Sequence, residues 1–127
     1  SIAFSLCDFT PDADFTYTAR IAEKLARKVL SDGLPKGICL NVNVPVGEVK
    51  GIRMTTQTQG KWVNEYQRSQ DGIGRDVFWM TGNFENWEAD NVNNDEWALA
   101  NGYAAVVPVK IDMTAHDLIP ELKEWEL

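Results

Sequence analysis

Three aspartates stand close together near the start of the chain, Asp8, Asp12 and Asp14. Oxygen donors gathered this way can hold a hard divalent cation. No histidine stands among them, and acids after a strand or at the positive end of a helix need no metal to explain them. The run Asp90-Asn91-Val92-Asn93-Asn94-Asp95-Glu96 has the residue types of a calcium loop but the wrong register. Counted from Asn91, its sixth position is Glu96 instead of Gly and its twelfth is Gly102 instead of Glu. A loop followed by a helix cap remains. His116 is the only histidine, so any Ser-His-Asp or Cys-His machinery would have to use it. It sits in a helix-start pattern, where a local hydrogen bond suits it. Zinc held by several His or Cys is excluded by count. Gly72-Ile73-Gly74 lacks the following helix and the Lys-Ser or Lys-Thr of a phosphate loop and reads as a turn. Cys7 and Cys39 lie in apolar, strand-like stretches and read as free buried thiols, with a disulfide as the alternative.

The elements that would position these residues are readable from periodicity. Residues 1–7 form an apolar strand pattern. Thr10-Pro11-Asp12-Ala13-Asp14 signals a helix start, with Thr10 as N-cap and Pro11 at the first helical position. Phe15, Ala19, Ala22, Leu25, Ala26, Val29 and Leu30 then recur at helical spacing, and Gly33 and Pro35 end the helix. Residues 38–44 alternate, with Ile38, Leu40, Val42 and Val44 on one face and Cys39, Asn41 and Asn43 on the other. Strand, helix and strand make a βαβ unit, which builds parallel sheets. Residues 49–58, 61–66 and 75–81 are strand-like and predict an antiparallel arm, with a polar turn over 67–74 and an irregular stretch over 82–94. Asn94 or Asp95 caps a short helix closed by Gly102, and the Val-rich run from 103 to 111 reads as a strand buried on both faces. Thr114 to Asp117 loosely fits a capping box before a terminal helix holding Leu118, Ile119, Leu122 and Trp125.

The chain has 127 residues, enough for one domain with a core, and a net charge of -7. That charge argues against a nucleic-acid polymer as partner, since phosphates need Lys and Arg to neutralise them. No apolar run reaches membrane-spanning length, so no membrane is expected, and with no secretory signal pattern a cytoplasmic location is expected. The chain lacks an initiator Met and opens directly on a strand pattern, from which we expect a segment of a longer protein. Five tryptophans are many for this length. Trp62 and Trp79 on the arm could stack on sugars, which makes a Trp-rich binding module for sugar or protein the competing function, or could anchor a subunit interface.

Several segments together resemble the C-terminal half of the SurE (survival protein E) family. Ser1-Ile2-Ala3-Phe4-Ser5 resembles the strand after that family's phosphate-loop helix. Leu40-Asn41-Val42-Asn43-Val44-Pro45 resembles its Leu-Asn-Val-Asn-x-Pro motif. Asp95 to Tyr103 resembles its Asp-x-x-Ala-x-x-x-Gly-Tyr signature, and Val107-Pro108-Val109 and Asp112-Met113-Thr114 follow in the expected order. Asn94 stands where Thr is common and Ala105 where Ser is common; neither is a catalytic position of the pattern.

The resemblance implies part of a Rossmann-like, mostly parallel α/β sheet with a projecting antiparallel hairpin arm and a C-terminal helical tail. It implies one domain half over 1–127, with the arm and an irregular loop at 46–90 and the tail at 113–127. It further implies a parent enzyme that hydrolyses nucleoside 5′- and 3′-monophosphates with a divalent metal, Mg or Mn. The family's metal ligands and phosphate loop precede the segment matching Ser1, so no catalytic or metal residue is carried onto this chain, and no metal is expected to be bound by it. Ser5 and Asn43 are expected near the pocket rim. Trp62, Trp79 and Trp125 are expected at the contacts of a homodimer or tetramer.

Overall fold

The computed structural model describes residues 1–125. In chain order it contains β1 (Ile2–Leu6), α1 (Thr16–Asp32), β2 (Ile38–Val44), β3 (Gly51–Met54), β4 (Gly60–Val63), β5 (Tyr66–Gln70), β6 (Asp76–Met80), β7 (Asn83–Asn86), α2 (Asp95–Ala100), β8 (Tyr103–Lys110) and α3 (Ile119–Leu122). The main sheet has the order β1-β2-β8-β3. β1 and β2 run parallel, in register from Ile2 opposite Leu40 to Leu6 opposite Val44. β8 is antiparallel to β2 and parallel to β3. The fold is therefore mixed α/β with parallel pairing dominant, as the βαβ pattern predicts.

The core follows from strand alternation. Leu40, Val42 and Val44 line one face of β2, and Ala104 and Val106 of β8 continue that face. Helix α1 lays Ile21 and Leu25, four residues apart, over it. Each such side chain contributes roughly 1.5–3 kcal/mol when fully buried. Ile2, Phe4 and Leu6 of β1 complete the cluster. Ala104, Ala105, Val106 and Val107 are buried in succession, as expected of a strand covered on both faces. Helix α1 covers one face of the sheet and α2 the other.

Between β3 and α2 the chain leaves the sheet as one bent two-stranded ribbon. Its root pairs β4 with β7 and its outer part pairs β5 with β6, both antiparallel. The bend falls where Asn64 (φ 54°) meets Gly82 (φ 129°), and Thr81 bridges it. Its N–H donates to Glu65 O at 2.8 Å and its hydroxyl to Asn64 O at 2.6 Å. The outer turn is closed by Asp71, whose Oδ1 accepts from Ile73 N at 3.0 Å and Arg75 N at 2.9 Å.

Several expected boundaries move. Helix α1 begins at Thr16, with Phe15 at the cap position, and Thr10 does not cap it. Thr10 to Ala13 instead closes a turn, Ala13 N to Thr10 O at 3.3 Å. Asp8 and Asp14 shape that loop by accepting from the backbone N–H two residues on, each at 2.9 Å. These side chains offer the backbone a local alternative to helix, and the helix starts only after they are used. The range 46–90 divides: β3 joins the main sheet and only the ribbon from β4 to β7 projects. Residues 67–70 are strand, so the polar turn starts at Asp71, and β7 lies within the stretch expected to be irregular. Thr114 does not cap the tail either. Helix α3 is a single turn with Leu118 at its cap position. Of the tail 113–127, Glu126 and Leu127 lie outside the described residues.

Candidate functional site

Parallel pairing brings the carboxyl ends of β1 and β2 together, the end at which α/β sheets present ligands. A cavity of about 390 Å³ opens there, lined by Leu6, Asp8, Asp14, Tyr17, Pro45, Val46 and Gly47. Hydrogen bonds from Thr16 hold the Asp14 carboxyl below its ordinary range. Cys7 is anchored at this end by its N–H to Val44 O at 2.9 Å. Burial, and after it the charge of Glu96, pushes its thiol up, which keeps it protonated and a weak nucleophile. Cys39 is a second free thiol. It adjoins Leu40, the partner of Ile2, whereas Cys7 adjoins Leu6, the partner of Val44. The two cysteines are thus separated by roughly 20 Å along the strands, and a disulfide between them is excluded because it requires Cα atoms within about 7 Å.

Ser5 and Asn43 are partners in the ladder, on the face turned away from α1. Ser5 is exposed and Asn43 half-buried. Neither lines the cavity itself, but Leu6, next to Ser5, and Pro45, two residues after Asn43, do. The same cross-strand row continues through Ala105 to Arg53. The Arg53 guanidinium lies over Trp97 at 4.9 Å and Tyr103 at 5.4 Å, cation–π geometry that fixes α2 against β3.

A divalent metal does not fit the donors at hand. Among the described residues no group of three or more His, Cys, Asp or Glu could hold one. Asp8 and Asp14, which share the cavity, each turn Oδ1 to a backbone N–H. His116 contacts Asp112 instead of a nucleophile, Nε2 to Oδ2 at 2.6 Å. The calcium-like run is a loop and cap. Buried Asn94 accepts from Trp97 N at 2.8 Å and donates to Glu88 O at 3.0 Å.

A second constellation at the ribbon root escapes the sequence reading. Asp95 Oδ1 accepts from Thr58 N at 2.9 Å, Thr58 Oγ1 at 2.6 Å and Glu96 N at 2.9 Å. This ties the start of the ribbon to α2 across 37 positions of sequence. Beside it a cavity of about 180 Å³ is lined by Gln57, Thr58, Trp62, Phe84, Asp95 and Glu96. Trp62 and Phe84 pack with ring centroids 5.7 Å apart and planes tilted by 55°. The only signal in the sequence was Gly60 and Gly82 flanking aromatic positions. A Cβ on Gly60 would run into the Phe84 ring and Glu85 O, and one on Gly82 would lie 3.1 Å from the Trp62 ring. Trp79 on the outer ribbon is 64% exposed and Trp125 in the tail 60%, so neither indole is buried within the chain.

A βαβ unit extended by an antiparallel strand, with a β-ribbon that leaves the sheet after β3, defines the Rossmann-like α/β class. Comparison with known proteins narrows it. Residues 1–64 match the family described as Survival protein SurE, and the chain belongs to that family. It is 46% identical to 5'-nucleotidase SurE of Phocaeicola vulgatus, over 100% of this chain and 50% of that protein. The protein of the same description from Bacteroides thetaiotaomicron is also 46% identical, over 98% of this chain and 49% of its own. The crystal structure of the SurE protein from Aquifex aeolicus superposes with a TM-score of 0.72 at 30% identity, covering 96% of this chain and 50% of that one. The chain thus spans about half the length of the relatives it matches.

Proposed function

We propose that this chain is the scaffold and assembly half of a nucleotidase that hydrolyses nucleoside 5′- and 3′-monophosphates with a divalent metal, Mg or Mn. The single observation that carries the reading is the full-length match to relatives described as 5'-nucleotidase, of which the chain spans only half. The donor set supports assigning the metal to the other half, and no catalytic step is routed through these residues. The open edge of β1 supports it too. β1 ends the sheet, and Ser1, Ala3 and Ser5 leave the face away from α1 exposed, so further strands and their cover can continue there. In this reading the role of the chain is to hold that edge rigid and to close the site from the side of Asn43 and α2.

The test is phosphomonoesterase activity on adenosine monophosphate with Mg²⁺ or Mn²⁺. The chain is assayed alone and fused behind the N-terminal half of the Phocaeicola vulgatus relative. Turnover by the fusion only is the expected result. Turnover by the chain alone would place a metal site among these residues, with Asp8, Asp12 and Asp14 at the carboxyl end of β1 the first to test, and overturn the division of labour. No turnover by a folded fusion would overturn the nucleotidase reading.

A further inference from the structure

We propose that the ribbon root is a nucleobase platform, on which the exposed face of Trp62 stacks the base of a nucleoside while Glu96 and Asp95 accept its N–H donors. The choice of a nucleoside as ligand rests on the nucleotidase reading; the platform itself rests on the geometry.

Trp62 is 58% exposed, yet it is not loose. Phe84 packs against it, Gly60 leaves the room that Phe84 occupies, and the Gly82 backbone passes under the indole. An indole ordered on one side and open on the other is pre-organised for a flat partner, so little side-chain entropy is lost on binding. The polar groups beside it are acceptors. All three hydrogen bonds accepted by the Asp95 carboxylate use Oδ1, which leaves Oδ2 free among the described residues, and Glu96 is exposed. Gln57 adds an amide that can donate and accept. Acceptor-only carboxylates beside a π-face select a ring with amino or ring N–H groups on its edge. They repel a phosphate, which must therefore point away from this cavity.

Size agrees. About 180 Å³ is less than the roughly 300–1,000 Å³ of sites that enclose a drug-sized ligand, so the cavity takes one ring system and leaves the rest outside.

The test uses the indole N–H signals of the 127-residue chain, that of Trp62 identified by its loss in W62F. The chain is titrated with guanosine, adenosine, ribose 5-phosphate and maltotriose. The expected result is a shift of the Trp62 signal with the nucleosides and none with ribose 5-phosphate. W62A should weaken nucleoside binding roughly tenfold or more, as loss of a base–aromatic stack does. W79A should leave it unchanged, and E96Q, at an exposed position that does not support the fold, should weaken it several-fold. No nucleoside-dependent shift, or a shift with maltotriose instead, would overturn the inference. Either result would leave the nucleotidase reading standing if the fusion described above still hydrolyses adenosine monophosphate. Nucleoside binding without hydrolysis would separate the two the other way.

Discussion

Asp112 Oδ1 accepts from Thr114 N at 2.9 Å and its Oδ2 lies 2.6 Å from His116 Nε2, so one carboxylate closes the turn that leaves β8. The contacts with His116 and then Thr114 lower its pKa from 3.8 to about 2. A carboxyl with a depressed folded-state pKa contributes stability above its unfolded value and loses it as pH falls through the folded one. The closed turn should therefore persist at pH 4 and open near pH 2. The Thr114 amide shift should titrate with a midpoint of about 2 and lose that step in D112N; a midpoint at 3.8 would mean the turn is not closed in solution. At this scale the sequence was legible wherever the partner is near. Asn94 was readable as a helix cap, and it bonds Trp97 N three residues on. His116 was readable as a local hydrogen-bonding group. The bond from Asp95 to Thr58 was not readable, because a carboxylate near a helix start has many possible donors and only tertiary packing chooses one 37 positions away.

Among the elements, β2 and β8 were the most legible, because their burial is uniform: alternating in β2, continuous through four residues in β8. Helix α1 was legible in its apolar stripe and its end at Gly33. Its start was not, since Thr10-Pro11-Asp12 carries the same residue types for a turn as for a cap. β7 was hidden because Asn83-Phe84-Glu85-Asn86 has a single residue of high strand propensity; it is strand because β4 pairs with it. What holds this root is the close approach of Phe84 to Gly60. G60A forces a methyl into the ring and the Glu85 carbonyl, an overpacking that costs about 1–3 kcal/mol. We expect it to abolish most of the hydrogen-exchange protection of Trp87 N, which donates to Gln59 O at 3.0 Å beside the pair, and to spare the amides of β2 and β8. Equal protection in G60A and the parent chain would show that Phe84 has another place to go.

For the molecule as a whole, the ribbon presents apolar side chains that none of the described residues covers. Tyr66, Phe78 and Met80 share one face of the β5–β6 hairpin and are each more than 60% exposed, while Trp79 looks out from the other. A two-stranded ribbon is marginal alone in water, and a contiguous apolar patch of this kind marks a contact surface. The sequence pointed to Trp79 as a subunit anchor by its position on an arm. What it could not give is the pairing that sets Phe78 and Met80 beside Tyr66, because that depends on the register across the turn at Asp71. The open edge of β1 is a second surface of the same kind, so assembly through the ribbon and continuation of the sheet are separate demands on one small chain. They can be told apart. If the ribbon carries the assembly, the double substitution F78S and M80S should reduce the sedimenting species to a smaller one, with circular dichroism of the sheet retained. Removing the tail from Met113 onward, with exposed Trp125, should act in the same direction. A sedimentation coefficient unchanged by both would assign the association to the β1 edge, and pairing the chain with the N-terminal half of a relative would then be the step that makes it monodisperse.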